Sequence, residues 1–122
     1  MASKTVLIVD DNVLNRKLLE GMLQLVEAQM LSAEDGAEGV RLTRRHRPDL
    51  ILMDVQLPDM DGFEVVSEIH KDPDLATIPY FYLTGNITAE CRRQAEGEGC
   101  LGIVQKPIEV AEFIETLKKI LT

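Results

Sequence analysis

The sequence predicts an α/β three-layer sandwich: one sheet of five parallel strands, covered on both faces by helices. Three observations carry that expectation. Short apolar runs alternate five times with longer segments of helical period, as repeated β–α units do. Three of those runs are nearly continuous in apolar residues, the pattern of strands buried on both faces. A length of 122 residues suits one domain spanning 1–122, with a single core and no spare module.

The elements follow in order. Thr5-Val6-Leu7-Ile8-Val9 reads as the first strand. Behind it Leu14, Leu18, Met22 and Leu25 recur at i, i+4, i+8 and i+11, and are expected to form the buried stripe of the first helix. Residues 29–32 give a second strand. Asp35 with Glu38 has the acceptor-x-x-Glu spacing that opens a helix; Pro48, lacking an N–H, stops it. Residues 50–53 form the third strand, and Asp61 with Glu64 repeats the opening box before the third helix. After the fourth strand, 80–83, comes a weak helix over 88–98. Its main apolar residues are Cys91 and Ala95, and Gly97 and Gly99 close it. It is expected to be the least firmly docked. The fifth strand, 101–104, precedes a helix with Val110, Phe113, Ile114, Leu117 and Leu121 on one face and Glu112, Glu115, Lys118 and Lys119 mostly opposite. Right-handed crossovers leave few topologies, and the flavodoxin-like order 2-1-3-4-5 is the commonest at this length.

Composition excludes several functions. Thirteen Lys+Arg against 21 Asp+Glu give a net charge of −8. Nucleic-acid binders need a cationic face, so direct nucleic-acid binding is not expected. No apolar stretch reaches the roughly 20 residues of a membrane span, and the N-terminus has no secretory pattern. Cys91 and Cys100 are too far apart for a CxxC motif and have no histidine nearby, so reduced thiols are expected. A cytoplasmic protein fits these features.

Ligands of open parallel sheets bind beyond the carboxyl ends of the strands. Here the first strand ends in Asp10-Asp11, the third in Asp54, the fourth in Thr84, and the fifth just before Lys106-Pro107. Only the second, ending in Ser32-Ala33, is unremarkable. Like charges about 4 Å apart repel by about 4 kcal/mol at an effective dielectric near 20, so three acids at one rim call for a cation. An oxygen-only site suits Mg²⁺ or Mn²⁺ and not zinc. Adding a lysine and a hydroxyl gives a site fit to hold a phosphoryl group, and a carboxylate within it can act as nucleophile.

The segments Val9-Asp10-Asp11-Asn12, Pro48 to Asp54 with Pro58 and Asp61-Gly62, Leu83-Thr84-Gly85, and Lys106-Pro107 together resemble the receiver domain of bacterial two-component response regulators. The resemblance implies that Asp54 accepts a phosphoryl group from a histidine kinase or histidine phosphotransferase. It implies that Asp11, Asp54 and the backbone carbonyl of Gln56 hold the metal directly, with Asp10 acting largely through water. Lys106 would pair with Asp54 and then with the phosphoryl oxygens. Thr84 would rotate inward to hydrogen-bond them, and a cis peptide bond would precede Pro107. Such a domain is a phosphoacceptor that assists its own phosphorylation and dephosphorylation, not an enzyme acting on a separate substrate. It presents a switched face to a downstream target protein, and a phosphorylation-dependent dimer is compatible with the pattern. Because the chain stops after its last helix, a single-domain regulator or phosphorelay shuttle is expected; a receiver cut from a longer protein would read the same way.

The chain departs from the family at Ile103, where an aromatic residue usually reports the switch, so that the output change falls to Thr84 and the fourth helix. Gly85 replaces a common alanine and leaves an open approach to Asp54. Gln56 and Asn86, which cannot act as strong bases, lean toward a longer-lived phosphate. Blander roles are expected elsewhere. Asp59 and Asp61 serve turns and caps, and Arg44-Arg45-His46-Arg47 decorates a helix C-terminus where cations are favoured. His46 and His70 are surface residues, and Tyr80, Phe81 and Tyr82 are packing. Two rivals remain. A haloacid-dehalogenase-type phosphatase or phosphotransferase would need a second acid two residues after its nucleophile, where this chain has Asn12. A flavin binder would need a Ser/Thr/Gly-rich loop where this chain has Asp10-Asp11.

Overall fold

A computed structural model describes residues 3–122. Five parallel strands form one sheet in the order β2-β1-β3-β4-β5. They are β1 (Thr5–Val9), β2 (Gln29–Ala33), β3 (Leu50–Asp54), β4 (Tyr80–Thr84) and β5 (Cys100–Gln105). The helices are α1 (Val13–Leu25), α2 (Gly36–His46), α3 (Gly62–His70), α4 (Ala89–Gln94) and α5 (Val110–Leu121). Each strand runs one or two residues further than its apolar core, except β1, which keeps its predicted limits. The added residues matter at Asp54 and Thr84, which lie within the sheet's last rungs, paired with Leu83 and Gln105.

Strand alternation divides the core in two. Val6 and Ile8 of β1 face α1 and α5 with Leu50, Leu52, Phe81 and Leu83. Leu7 and Val9 face α2 and α3 with Ile51, Met53, Tyr80 and Tyr82. Every residue of β3 and β4 is buried, as the near-continuous apolar runs require.

Helix ends follow their local chemistry. Asp61 accepts from the Glu64 amide at 2.8 Å while Glu64 reaches back to the Asp61 amide, a reciprocal capping box at the start of α3. Asp35 accepts from the Glu38 amide at 2.8 Å, the one-way half of that motif. α2 ends at Arg47 in the left-handed region, φ 47°, just before Pro48.

Three expectations need correction. In α1 the buried residues are Leu19, Met22 and Leu23, whereas Leu14 is 73% and Leu25 69% exposed, and Leu18 is exposed too. Of the expected stripe only Met22 is buried; the adjacent pairs Leu18-Leu19 and Met22-Leu23 offer two stripes of the same period, and the helix is rotated so that Leu19 and Leu23 join Met22 inside. The weak helix is shorter than 88–98: α4 covers only Ala89–Gln94, capped by Thr88, and buries Cys91 alone. Ala95, four residues after Cys91, packs against the core as the C-cap, but beyond it no apolar side chain continues that face, and Gly97 and Gly99 break the backbone pattern. α5 buries Phe113, Leu117 and Leu121 as expected, but leaves Val110 exposed.

Candidate functional site

The site stands at the carboxyl ends of β1, β3, β4 and β5. Parallel pairing puts Val9 beside Met53 and Asp54 beside Leu83, so the residues that follow converge. Oxygen atoms of Asp10, Asp11 and Asp54 all lie within 4.8 Å of one another. The Lys106 ammonium donates to Asp54 Oδ2 at 2.8 Å and to Asp10 Oδ2 at 3.1 Å. A cis peptide bond joins Lys106 to Pro107. Above these groups is an open cavity of about 470 Å³ lined by Asp11, Asn15, Asp54, Gln56, Thr84 and Lys106 among others.

Burial sets the electrostatics. Asp10 is 0% and Asp54 5% exposed, while Asp11 stands in solvent. Burial pushes the Asp54 carboxyl up to about 6, against hydrogen bonds from Lys106 and the Gln56 amide that pull it down; the charge of Asp10 adds to the rise. Burial also works against the Lys106 ammonium, but bonds to Asp54 and the charges of Asp54 and Asp10 outweigh it and hold its pKa above the ordinary value. One ammonium is thus shared between two buried acids, with a third acid alongside. The uncompensated negative charge and the all-oxygen donor set fit a hard divalent cation such as Mg²⁺.

The acids at the end of β1 do not cap α1. Asn12 does, accepting from the Asn15 amide at 3.0 Å, which leaves Asp11 free to face the cavity. Asp10 is held by the Asn12 amide at 2.9 Å, and Asp54 by the Gln56 amide at 3.0 Å. The Thr84 hydroxyl is engaged within its own loop: it donates to the Asn86 carbonyl and accepts from the Asn86 amide, both at 3.1 Å. In this state it serves its own turn and not the acids. Gly85 lines this cavity, and a methyl group there would meet nothing within 4 Å. Ile103 is half-buried and lines a separate groove of about 530 Å³ between β5 and α5, with Phe81 and Phe113.

Sequence reading missed Arg16. Its guanidinium donates to the Asp10 carbonyl at 2.7 Å and to Glu34 at 3.1 Å, tying the β1–α1 turn to β2. No motif announces it; only the first turn of α1 being packed over the sheet brings it there. Asp59 and Asp61 lie outside the acid cluster and cap helices, as expected. Cys91 is buried and Cys100 half-buried, and both are free thiols.

A doubly wound parallel sheet with an acid-and-lysine rim of this kind is a receiver domain's design, and comparison with known proteins bears that out. The family model for the response regulator receiver domain matches residues 6–118. The chain belongs to that family. It is similar to the polar-differentiation response regulator DivK of Brucella anthropi, 39% identical over 118 residues, covering 97% of this chain and 96% of that protein. Among solved structures it resembles the chemotaxis protein CheY4 of Vibrio cholerae, with TM-score 0.88 and 29% identity over 98% of this chain and 100% of that one. It also resembles the receiver domain of the sensor histidine kinase PA1611 of Pseudomonas aeruginosa PAO1. There the TM-score is 0.86 and the identity 31%, with 98% of each chain covered, and that structure has a magnesium ion coordinated in its active site cleft. The chain is therefore a two-component signalling module and not a classical enzyme, and the dehalogenase-type reading is not favoured. Among the described residues no helix is long and apolar enough to cross a membrane.

Proposed function

We propose that Asp54 accepts a phosphoryl group from a phosphohistidine on a histidine kinase or histidine phosphotransferase. The observation that carries this reading is the Lys106 ammonium bridging Asp54 and Asp10 at the mouth of an open polar cavity. An Asp54 carboxylate oxygen attacks phosphorus in line with the P–N bond. That bond breaks, an acyl phosphate forms on Asp54, and the donor imidazole leaves with its electron pair and is protonated. Asp11, Asp54 and the Gln56 carbonyl would hold Mg²⁺ directly, with Asp10 acting largely through water; Mn²⁺ has the same oxygen preference. When bound, the ion supplies charge neutralisation for the phosphoryl oxygens. Lys106, already in place, pairs with one phosphoryl oxygen. Thr84 exchanges its bond with the Asn86 carbonyl for one to another. The domain assists this transfer and the later hydrolysis without turning over a separate substrate.

Phosphorylation replaces the single negative charge of the Asp54 carboxylate with the roughly 1.5 to 2 of an acyl phosphate, carried on three exposed acceptor oxygens. The response reaches a downstream target through α4, the most weakly anchored helix, and the adjoining β5–α5 surface. On the donor side, exposed Leu14 and Leu18 of α1 stand next to the cavity rim at Asn15 and offer an apolar seat for a protein donor. A cytoplasmic location fits such partners.

The test is intact mass after incubation with acetyl phosphate and Mg²⁺. The wild type should gain one phosphoryl group and Asp54→Asn none. A gain that persists in the Asn variant overturns the assignment, and turnover of many phosphate esters would favour an enzyme.

A further inference from the structure

The loop between β3 and α3 carries Gln56, yet Gln56, Pro58 and Asp59 are all exposed. Its two ends are fixed locally. The Gln56 amide donates to Asp54, the Gly62 amide donates to the Val55 carbonyl at 2.8 Å, and Gln56 pairs with Asp61 in an isolated antiparallel bridge.

The middle of the loop is tied to a distant part of the chain. Asp59 accepts from the Gly36 amide at 2.7 Å through one carboxylate oxygen and from the Ala37 amide at 2.9 Å through the other. These are the first two amides of α2, and the third, from Glu38, goes to Asp35. α2 is thus capped twice: once by its own preceding residue, once by the loop. Both amides to Asp59 sit at the positive end of a helix and face a carboxylate, the stronger class of hydrogen bond. Met60 seals the junction. A Cβ on Gly36 would lie 2.5 Å from Met60 Cγ and 2.8 Å from Val65 Cγ2, so loop and helix meet with no room for a side chain. α2 is itself pressed on the sheet, where a Cβ on Gly39 would lie 3.0 Å from Val9.

The geometry points to Asp59 as a positioning residue for the phosphoryl-accepting site. By clamping the middle of the β3–α3 loop to the amides of α2, it adds to the local bonds that hold the Gln56 carbonyl in place and fixes the Leu57-Pro58 wall of the cavity. This inference rests on the reading of Gln56 as a metal ligand.

Asp35 supplies the control, because it caps the same helix without touching the loop. Asp59→Asn, Asp59→Ala and Asp35→Ala are compared by amide hydrogen exchange of residues 55–61 in metal-free protein and by Mg²⁺ titration calorimetry. Supporting partners of a metal site are typically worth at least tenfold in affinity, so the Asp59 variants should bind Mg²⁺ about tenfold more weakly. Their loop should also exchange several-fold faster. Asp35→Ala should unfold at lower urea yet leave loop exchange and Mg²⁺ affinity within about twofold, since its bond serves α2 alone. Asp59 and Asp35 variants that behave alike in both measurements would overturn the inference. If the wild type binds Mg²⁺ and Asp59→Asn binds it equally well, the clamp fails alone. If the wild type takes up no Mg²⁺, the Gln56 reading fails and the clamp's role goes with it.

Discussion

Neutralising Asp54 should stabilise the metal-free protein, although it removes a member of an ion pair. The Asp54 carboxyl is raised from 3.8 to about 6 by burial, with Asp10 adding to the rise. A raised carboxyl binds its proton more tightly folded than unfolded. Stability from that proton is fully present below the unfolded value near 4 and lost as pH rises through about 6. Two pH units at about 1.4 kcal/mol each make the cost of ionising Asp54 in the folded state about 3 kcal/mol at pH 7.5. Asp54→Asn keeps an acceptor for the Gln56 amide and removes the charge. The variant should therefore exceed the wild type by about 1 to 3 kcal/mol at pH 7.5, the lower figure allowing for a weaker bond to Lys106. The gap should close as pH falls toward 4.5. The assay is urea unfolding by circular dichroism in EDTA at fixed ionic strength, with the difference between proteins as the readout so that other titrating groups cancel. Millimolar Mg²⁺ should shrink the gap at pH 7.5 by stabilising only the wild type. A difference that stays constant between pH 4.5 and 7.5 would refute the reasoning.

Lys106→Met leaves Asp10 and Asp54 facing each other without a counter-charge, and should cost about 3–5 kcal/mol at pH 7 in EDTA; part of the loss should return at pH 5, where Asp54 takes up a proton, as urea titrations will report. Gly62→Ala should lower stability by about 2 kcal/mol or more, because its Cβ would run into the Asp54 carbonyl. Gly85→Ala, with open space around it, should change the thermal midpoint hardly at all. Leu14→Asp with Leu18→Glu should leave stability within about 0.5 kcal/mol and acetyl-phosphate labelling unchanged. The same pair should slow transfer from a phosphorylated histidine phosphotransferase about tenfold or more, as loss of an interface anchor does; equal slowing with both donors would contradict a docking role.

Most of the architecture was legible because buried parallel strands have almost no freedom of composition. Leu50 to Met53 and Tyr80 to Leu83 could be little else, and the acids and lysine following such strands could only meet at one rim. What escaped depended on choices that periodicity leaves open. α1 carries two leucine-rich stripes about one residue apart, and only packing against β1 and α5 selects Leu19, Met22 and Leu23. The reach of Arg16 to the Asp10 carbonyl and of Asp59 to α2 joins segments that have no fixed spacing. The Thr84 hydroxyl was placed at the right rim, but its bond to Asn86 reflects a turn whose geometry the sequence does not spell out.

α4 is held to the body of the protein by a single buried side chain, Cys91. Burying one side chain of that size is worth about 1–2 kcal/mol. Hydrogen bonds to a charged phosphoryl group are worth about 1.5–3 kcal/mol each, and about 5.5 kcal/mol inverts a hundredfold population bias. Two or three new bonds at the rim are therefore on the scale needed to re-seat this helix, and far below what tearing α5 from its three-residue anchorage would demand. The thinly moored helix makes the domain responsive to a small chemical event while the rest of the scaffold stays put.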